Sequence, residues 1–291
     1  MQSSNPVFAR SEGFNGRGSG GTSYAQPSSW SVGNPGQPQG GYGAPQGYDA
    51  YAPQQPRSGA MTIDTVVQKS AMTIGTVLVV ALATWAFIGD LKTSDAAANQ
   101  AGLNTAMALS AVGSIGAFVL SLVNSFKKKV SPALVLLFAA AEGVFVGAFS
   151  KVIDTYIADG VVLPAVVGTF AAAIGTLAAY KLFNIQVGDR MRSWVVGAMF
   201  GFVGLGLLSL VLSIFGIQTG LFGFGGLGLL MSVVGLALGV FMLILDFDMI
   251  ERGIGAGLPE VESWRAAFGL TVSLVWIYIN LLRILAILNQ D

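Results

Sequence analysis

The chain has 291 residues, 53% of them hydrophobic and only 10% charged, with 15 basic and 15 acidic side chains and no net charge. Soluble domains carry about 25% charged residues, so an ordinary soluble fold is excluded, and the balanced charge offers no basic surface for nucleic acid. With no Cys and no His, the chain has no disulfides, thiolate nucleophiles, Cys/His zinc sites or Ser-His triads, and the expectation is a non-enzyme without a cofactor.

Residues 1–60 differ from the rest. Seven of the ten prolines fall before residue 57, among Gly, Ser and Gln, as in "GNPGQPQGGYGAPQGYDAYAPQQP". Such a segment buries too little apolar surface to offset the entropy of ordering, which predicts a disordered Pro/Gly/Gln-rich tail. Tyr24, Tyr42, Tyr48 and Tyr51 are spacers in that tail, or else adhesive or phosphorylation sites. No basic start and apolar core mark a cleavable signal peptide. In "MTIDTVVQKSA", Thr62 can cap a helix whose residues Ile63, Val66 and Val67 share a face. This predicts a short amphipathic helix on the cytoplasmic surface, leading into the first span.

A spanning helix needs about 20 mostly apolar residues to cross about 30 Å of hydrocarbon. Seven runs qualify: 71–88, 103–123, 133–149, 161–180, 194–215, 227–245 and 266–288. Residues 61–291 therefore read as a seven-span, all-α membrane domain. The positive-inside rule orients it. Arg10, Arg17, Arg57 and Lys69 precede the first span. Lys127, Lys128 and Lys129 follow the second, Lys181, Arg190 and Arg192 the fourth, and Arg252 and Arg265 the sixth. Only Lys92 and Lys151 lie on the other side. The N-terminus is expected in the cytoplasm, with the C-terminus outside unless the last run is re-entrant.

Glycine is dense in the fifth and sixth spans. The small-xxx-small pairs Gly197/Gly201 and Gly235/Gly239 read as tight helix packing within one protomer, with association between chains as the other reading. "GLFGFGG", 220–226, reads as a tight external turn. A phosphate-cradling loop is excluded there, because no Lys-Ser/Thr follows.

Charged residues inside spans are functional candidates, because charge is costly in lipid. Glu142 sits mid-span in "FAAAEGVFVG", as a neutral hydrogen-bonded acid or as a proton or cation ligand. Asp246, in "LILDFDMIERG", either marks the water at the end of the sixth span or titrates inside. Arg283 lies in the seventh span. Residues two apart on a helix point to nearly opposite sides, so only one of Asp246 and Asp248 can face inward.

The segments "LILDFDMIE" and "INLLRILAIL", about thirty residues apart at the end of seven spans, resemble the Bax inhibitor-1 family, and its bacterial branch most. "MTIDTVVQKSAMTIG" and "AEGVFVGAFSKV" resemble the actinobacterial form with a long tail. The resemblance covers residues 61–290. It implies a seven-helix bundle in the cell membrane, with the last helix central and surrounded by the other six. It also implies a pH-sensitive calcium leak, controlled by an aspartate at the end of the sixth span and another in the seventh. The first of these falls on Asp246, with Asp248 at the position of an amide. The second, ten residues before the arginine of "NLLR", falls on Ser273, so the di-aspartyl pair lacks a member. Asp248, Glu142 and Asn280 are the residues that can compensate.

At about 1.5 Å per residue, Ser273 lies about 10 Å from the inner end of its span, near Asp246. Glu142 is about 13 Å in, and Arg283 about 25 Å along its helix. The expected arrangement is a polar route with Asp246 and Glu142 at opposite ends, each a transient cation contact. Arg283 guards the outer side or snorkels to the interface. Asp246 faces inward with Leu243 and Met249 on its face, while Asp248 faces the cytoplasm beside Glu251 and Arg252. Hard cations prefer oxygen ligands, and a carboxyl among apolar groups holds its proton more readily than one in water. Proton concentration can thus control a permeant cation without histidine. A non-transporting regulator that binds a membrane-anchored protease or another membrane protein is the other reading, since some family members act so. An intramembrane aspartyl protease is disfavoured, because its Gly-x-Gly-Asp element is missing.

Overall fold

The computed structural model describes residues 59–183 and 185–290; the tail and its tyrosines therefore lie outside the described residues, apart from Gly59 and Ala60. Seven helices follow in order: α1 (Ile63–Ile88), α2 (Ala96–Phe126), α3 (Pro132–Tyr156), α4 (Val162–Leu182), α5 (Asp189–Ile214), α6 (Gly226–Gly255) and α7 (Ser263–Leu288). All are long and apolar enough to cross a membrane, which makes this a multi-pass membrane protein. Successive helices alternate in direction. The end of the bundle where α1 begins, with the α2–α3, α4–α5 and α6–α7 turns, is the near end, and the opposite one is the far end.

The helices outrun their apolar stretches because polar residues cap and extend them. Thr62 caps α1 through its hydroxyl, which accepts from Thr65 N at 3.2 Å, while Thr65 Oγ1 accepts from Thr62 N at 3.0 Å. These reciprocal bonds satisfy two of the orphan donors of the first turn. Asp95 does the same for α2 at Ala97 N. α6 runs nine residues past Asp246, to Gly255, helped by the Asp248–Arg252 pair four residues apart. The amphipathic surface helix expected before the first span is not separate. Residues 63–70 are the first turns of α1 itself, with Val66 buried while Ile63 and Val67 are exposed.

Twelve of the 26 residues of α7 are buried, against two of the 26 in α5, which puts α7 at the centre and α5 at the edge. α7 is flanked mainly by α1, α3, α4 and α6; α2 packs on α3, and α5 packs on α6, reaching α7 through Phe202 against Trp276. At 26 residues and about 1.5 Å each, α7 is about 39 Å long and is not re-entrant. Close approach between α1 and α3 needs Gly147, where a Cβ would stand 2.9 Å from Ala81 Cα and overlap the Ala81 carbonyl. Of the two small-xxx-small pairs, Gly235 and Gly239 pack against Asn280 and against Trp276 and Ile277 of α7. Gly197 and Gly201 have nothing within 4 Å of where a Cβ would stand, contrary to the packing expected of them, because α5 turns that face away from the bundle. The "GLFGFGG" segment is a turn, with Gly220 at φ 70° and Gly223 N bonded to Gly220 O.

At the near end, Ala60 and Pro259 form an isolated antiparallel bridge. Met61 N donates to Leu258 O at 2.7 Å and Glu260 N to Gly59 O at 2.8 Å. Lys69 Nζ sits 2.6 Å from Glu260 Oε1, and the Thr65 and Ser263 hydroxyls are 2.8 Å apart. A chain beginning at Gly59 keeps all of these and is expected to insert and to melt at the temperature of the full chain. One beginning at Ser70 loses them all and is expected to melt several degrees lower, as membrane fractionation and thermal unfolding in detergent can check.

Candidate functional site

The α6–α7 seam runs antiparallel, and small residues let the helices close on each other. Toward the far end, Trp276 Nε1 donates to Gly235 O at 2.8 Å, and the Asn280 side chain fills the space left by Gly235. Nearer the middle, Ser273 Oγ donates to Asp246 Oδ2 at 2.5 Å. Gly269, one turn earlier on α7, leaves room for the other oxygen, since a Cβ there would stand 3.0 Å from Asp246 Oδ1.

Asp246 is not the last residue of its helix. Nine residues of α6 lie beyond it and ten of α7 precede Ser273, so both stand about 14–15 Å in from their near ends at about 1.5 Å per residue. Asp246 is half-buried and is the sole charged residue of a groove of about 270 Å³ between α5 and α6, whose walls include Val195, Met199, Val203, Met242 and Leu245. One carboxylate oxygen is thus tied to the central helix, and the group also reaches a space that α5 covers only loosely.

Asp248 corrects a second expectation. It does not face water but is 6% exposed. Arg192 Nη2 lies 3.1 Å from its carboxylate and Arg252 Nε 3.0 Å. Arg252 Nη2 also donates to Val187 O at 2.6 Å, and Tyr180 OH to Glu251 Oε2 at 2.7 Å. The two aspartates do point apart, as a helix requires, but both find partners: Asp246 in α7, Asp248 in the arginines that tie the α4–α5 turn to α6. Of the neighbours expected on the Asp246 face, Leu243 is 1% exposed, whereas Met249 is 41% exposed.

Glu142 is half-buried in α3. It continues the stripe Val135, Phe138, Ala139, Val146 at helical spacing. Phe138 stacks edge-on against Phe268, and Ser150 Oγ lies 2.6 Å from Tyr278 OH. α3 and α7 run in the same direction, so interpolating between these two contacts puts Glu142 level with Thr271. Thr271 and Val275 meet α1 and α3 through Thr73 and Ala139, while Ser273, two positions and about 200° round the helix, meets α6. Glu142 and Asp246 therefore stand at nearly the same depth on opposite sides of α7. On this interpolation α7 lies between them.

Nor does any of the three candidates replace the missing partner of Asp246. Asp248 is engaged by arginines, and Glu142 is across α7. Asn280 is buried against Gly235, with Nδ2 donating to Trp276 O at 2.8 Å. Ser273 itself is the partner. Arg283, 6% exposed, stays on the far side without snorkelling: Nη2 donates to Gly223 O at 3.2 Å and the guanidinium lies 5.7 Å from the Phe222 ring centroid. It closes the "GLFGFGG" turn over the end of α7. The sequence reading missed the Arg192–Asp248–Arg252 clasp. Its i,i+4 half was readable from spacing; its Arg192 half depends on how α5 docks.

The family model described as "Bax inhibitor 1 like" matches residues 5–290, reaching back through the segment read as a tail. No curated protein matches the chain.

Proposed function

The chain belongs to the Bax inhibitor 1-like family, and from that premise we propose that it is a cell-membrane protein that lets calcium or another cation leak across under proton control at Asp246. The observation that carries this reading is the Asp246–Ser273 bond, a carboxyl and a hydroxyl joining α6 to the central helix. An ionised Asp246 offers anionic oxygen to a hard cation. A proton there cancels the charge and turns an acceptor into a donor, so the bond with Ser273 must rearrange, and with it the α6–α7 seam. Ser273 in place of a second acid makes this a one-carboxyl switch. The near end is taken as cytoplasmic, on the basic residues of its turns.

A second reading is a non-transporting regulator that holds another membrane protein, such as a membrane-anchored protease. Two observations favour it: the groove beside Asp246 is otherwise apolar, and the far end of α7 carries the fixed positive charge of Arg283. Both oppose passage of a hydrated cation. Calcium flux into liposomes containing only this protein separates the two. The leak reading expects flux that falls as the medium is acidified; no flux at any pH leaves the regulator.

Glu142→Gln is expected to keep the fold, because the amide has the same shape and no hydrogen bond or ion pair of Glu142 among the described residues is lost, and to leave the proton dependence of flux in place. A flat pH profile in that variant, with normal expression, would move the sensor from Asp246 to Glu142.

A further inference from the structure

A second cavity, of about 140 Å³, lies on the other side of α7 from the groove, walled by α1, α3, α4 and α7. It runs along α1 from Ile74 to Trp85, eleven residues or about 16 Å, which is the depth of one leaflet of a hydrocarbon core about 30 Å thick. Its lining is hydrocarbon in effect, because each hydroxyl in it is already engaged. Ser150 pairs with Tyr278, Thr169 donates to Ala165 O, and Thr271 donates to Ala267 O. A cavity of that volume with apolar walls accepts a benzene-sized piece of hydrocarbon.

The cavity opens sideways. α1 and α4 both lean on α7 without packing closely on each other, and the lining residues Leu78, Leu82 and Phe170 between them are 39%, 71% and 38% exposed. That mouth faces the bilayer. At its far end Lys151 Nζ sits 4.6 Å above the Trp85 ring. Trp85 is a lining residue at the level where indoles favour the membrane interface. Lys151 makes no ion pair within 4 Å among the described residues; Asp154, three residues on along α3, lies close enough to act on it and also accepts from Gly160 N at 3.0 Å.

We infer that this cavity seats a benzene-sized stretch of one acyl chain of a phospholipid of the far leaflet, the rest of the chain lying along the open mouth between α1 and α4, with its phosphate against Lys151. Apolar walls, a lateral mouth and a cation at the interfacial end together fit a lipid rather than a water-borne ligand. The site is independent of the leak reading, since Asp246 lies on the opposite side of α7.

The test is lipid retention. The full chain is loaded with phosphatidylglycerol in detergent micelles, exchanged exhaustively into lipid-free micelles and assayed for phosphorus. The wild type is expected to keep one phospholipid per chain. Val166→Phe, which fills the cavity, and Leu82→Trp, which blocks the mouth from an exposed position, are each expected to lose it with unchanged thermal unfolding. Should Val166→Phe fail to fold, Leu82→Trp decides alone. Lys151→Gln is expected to keep phosphatidylcholine as well as the wild type does but to release phosphatidylglycerol several-fold faster. A wild type that retains nothing, or the same retention in both blocking variants, overturns the acyl-chain site. Unchanged release from Lys151→Gln overturns the phosphate contact.

Discussion

Asp246→Asn is expected to abolish the proton dependence of calcium flux in liposomes, leaving a rate that does not change with pH and is several-fold below the wild type at neutral pH. The amide can still accept from Ser273, so α6 and α7 keep their seam, but no proton can be gained or lost and no anionic oxygen meets the cation. Asp248→Asn separates charge from position. It should leave the pH profile intact and instead cost stability, because two arginines lose their shared carboxylate. Both arginines are partly hydrated, with side chains 35% and 53% exposed, so the cost is about 1–2 kcal/mol rather than the larger penalty of a fully buried pair. Ser273→Asp would place a second carboxyl within hydrogen-bond reach of Asp246. Two close carboxylates resist joint ionisation, so the midpoint of the pH profile should move to higher pH. Equal effects at Asp246 and Asp248, or an unmoved midpoint in Ser273→Asp, would remove Asp246 from the sensing role.

Gly147→Leu is expected to prevent stable folding or to cost more than about 3 kcal/mol, at or beyond the usual upper range for overpacked cores. The conflict is with the backbone of Ala81, which cannot swing aside as a side chain can, so α1 must move off α3. Gly197→Ala and Gly201→Ala provide the contrast. Their Cβ atoms enter open space, and no loss of stability is expected. Thermal unfolding of the three variants in one detergent reads the difference directly. Comparable losses at Gly197 would mean that α5 presses that face against something in the folded protein.

Fold class was legible because the bilayer imposes a length and a polarity on every spanning element. Seven runs and their number needed no tertiary knowledge, and the Asp246-bearing motif was enough to identify the family. The ends of the helices were less legible: hydropathy falls off at Leu245, yet α6 continues because backbone hydrogen bonds and the Asp248–Arg252 pair persist where apolarity stops. The apolar run therefore ends more than two turns before the helix does. The meeting of Asp246 with Ser273 followed from depth along two straight helices. The isolation of Glu142 did not, because depth along a helix says nothing of azimuth. Which side of α7 α6 takes is set by close packing at Gly235 and Gly239, and small-xxx-small spacing alone did not distinguish this pair from the idle one on α5. Asp248 failed for the same reason, since its second arginine comes from a different helix.

The bridge between Ala60 and Pro259 has a mechanical consequence. Two backbone hydrogen bonds, from Met61 to Leu258 and from Glu260 to Gly59, splice the start of α1 to the hairpin that joins α6 to α7. A pull on the chain ahead of Gly59 does not load α1 alone. It is shared with the α6–α7 hairpin, whose two helices Asp246 and Ser273 join, so tension at that end reaches the helix pair that carries the proposed site.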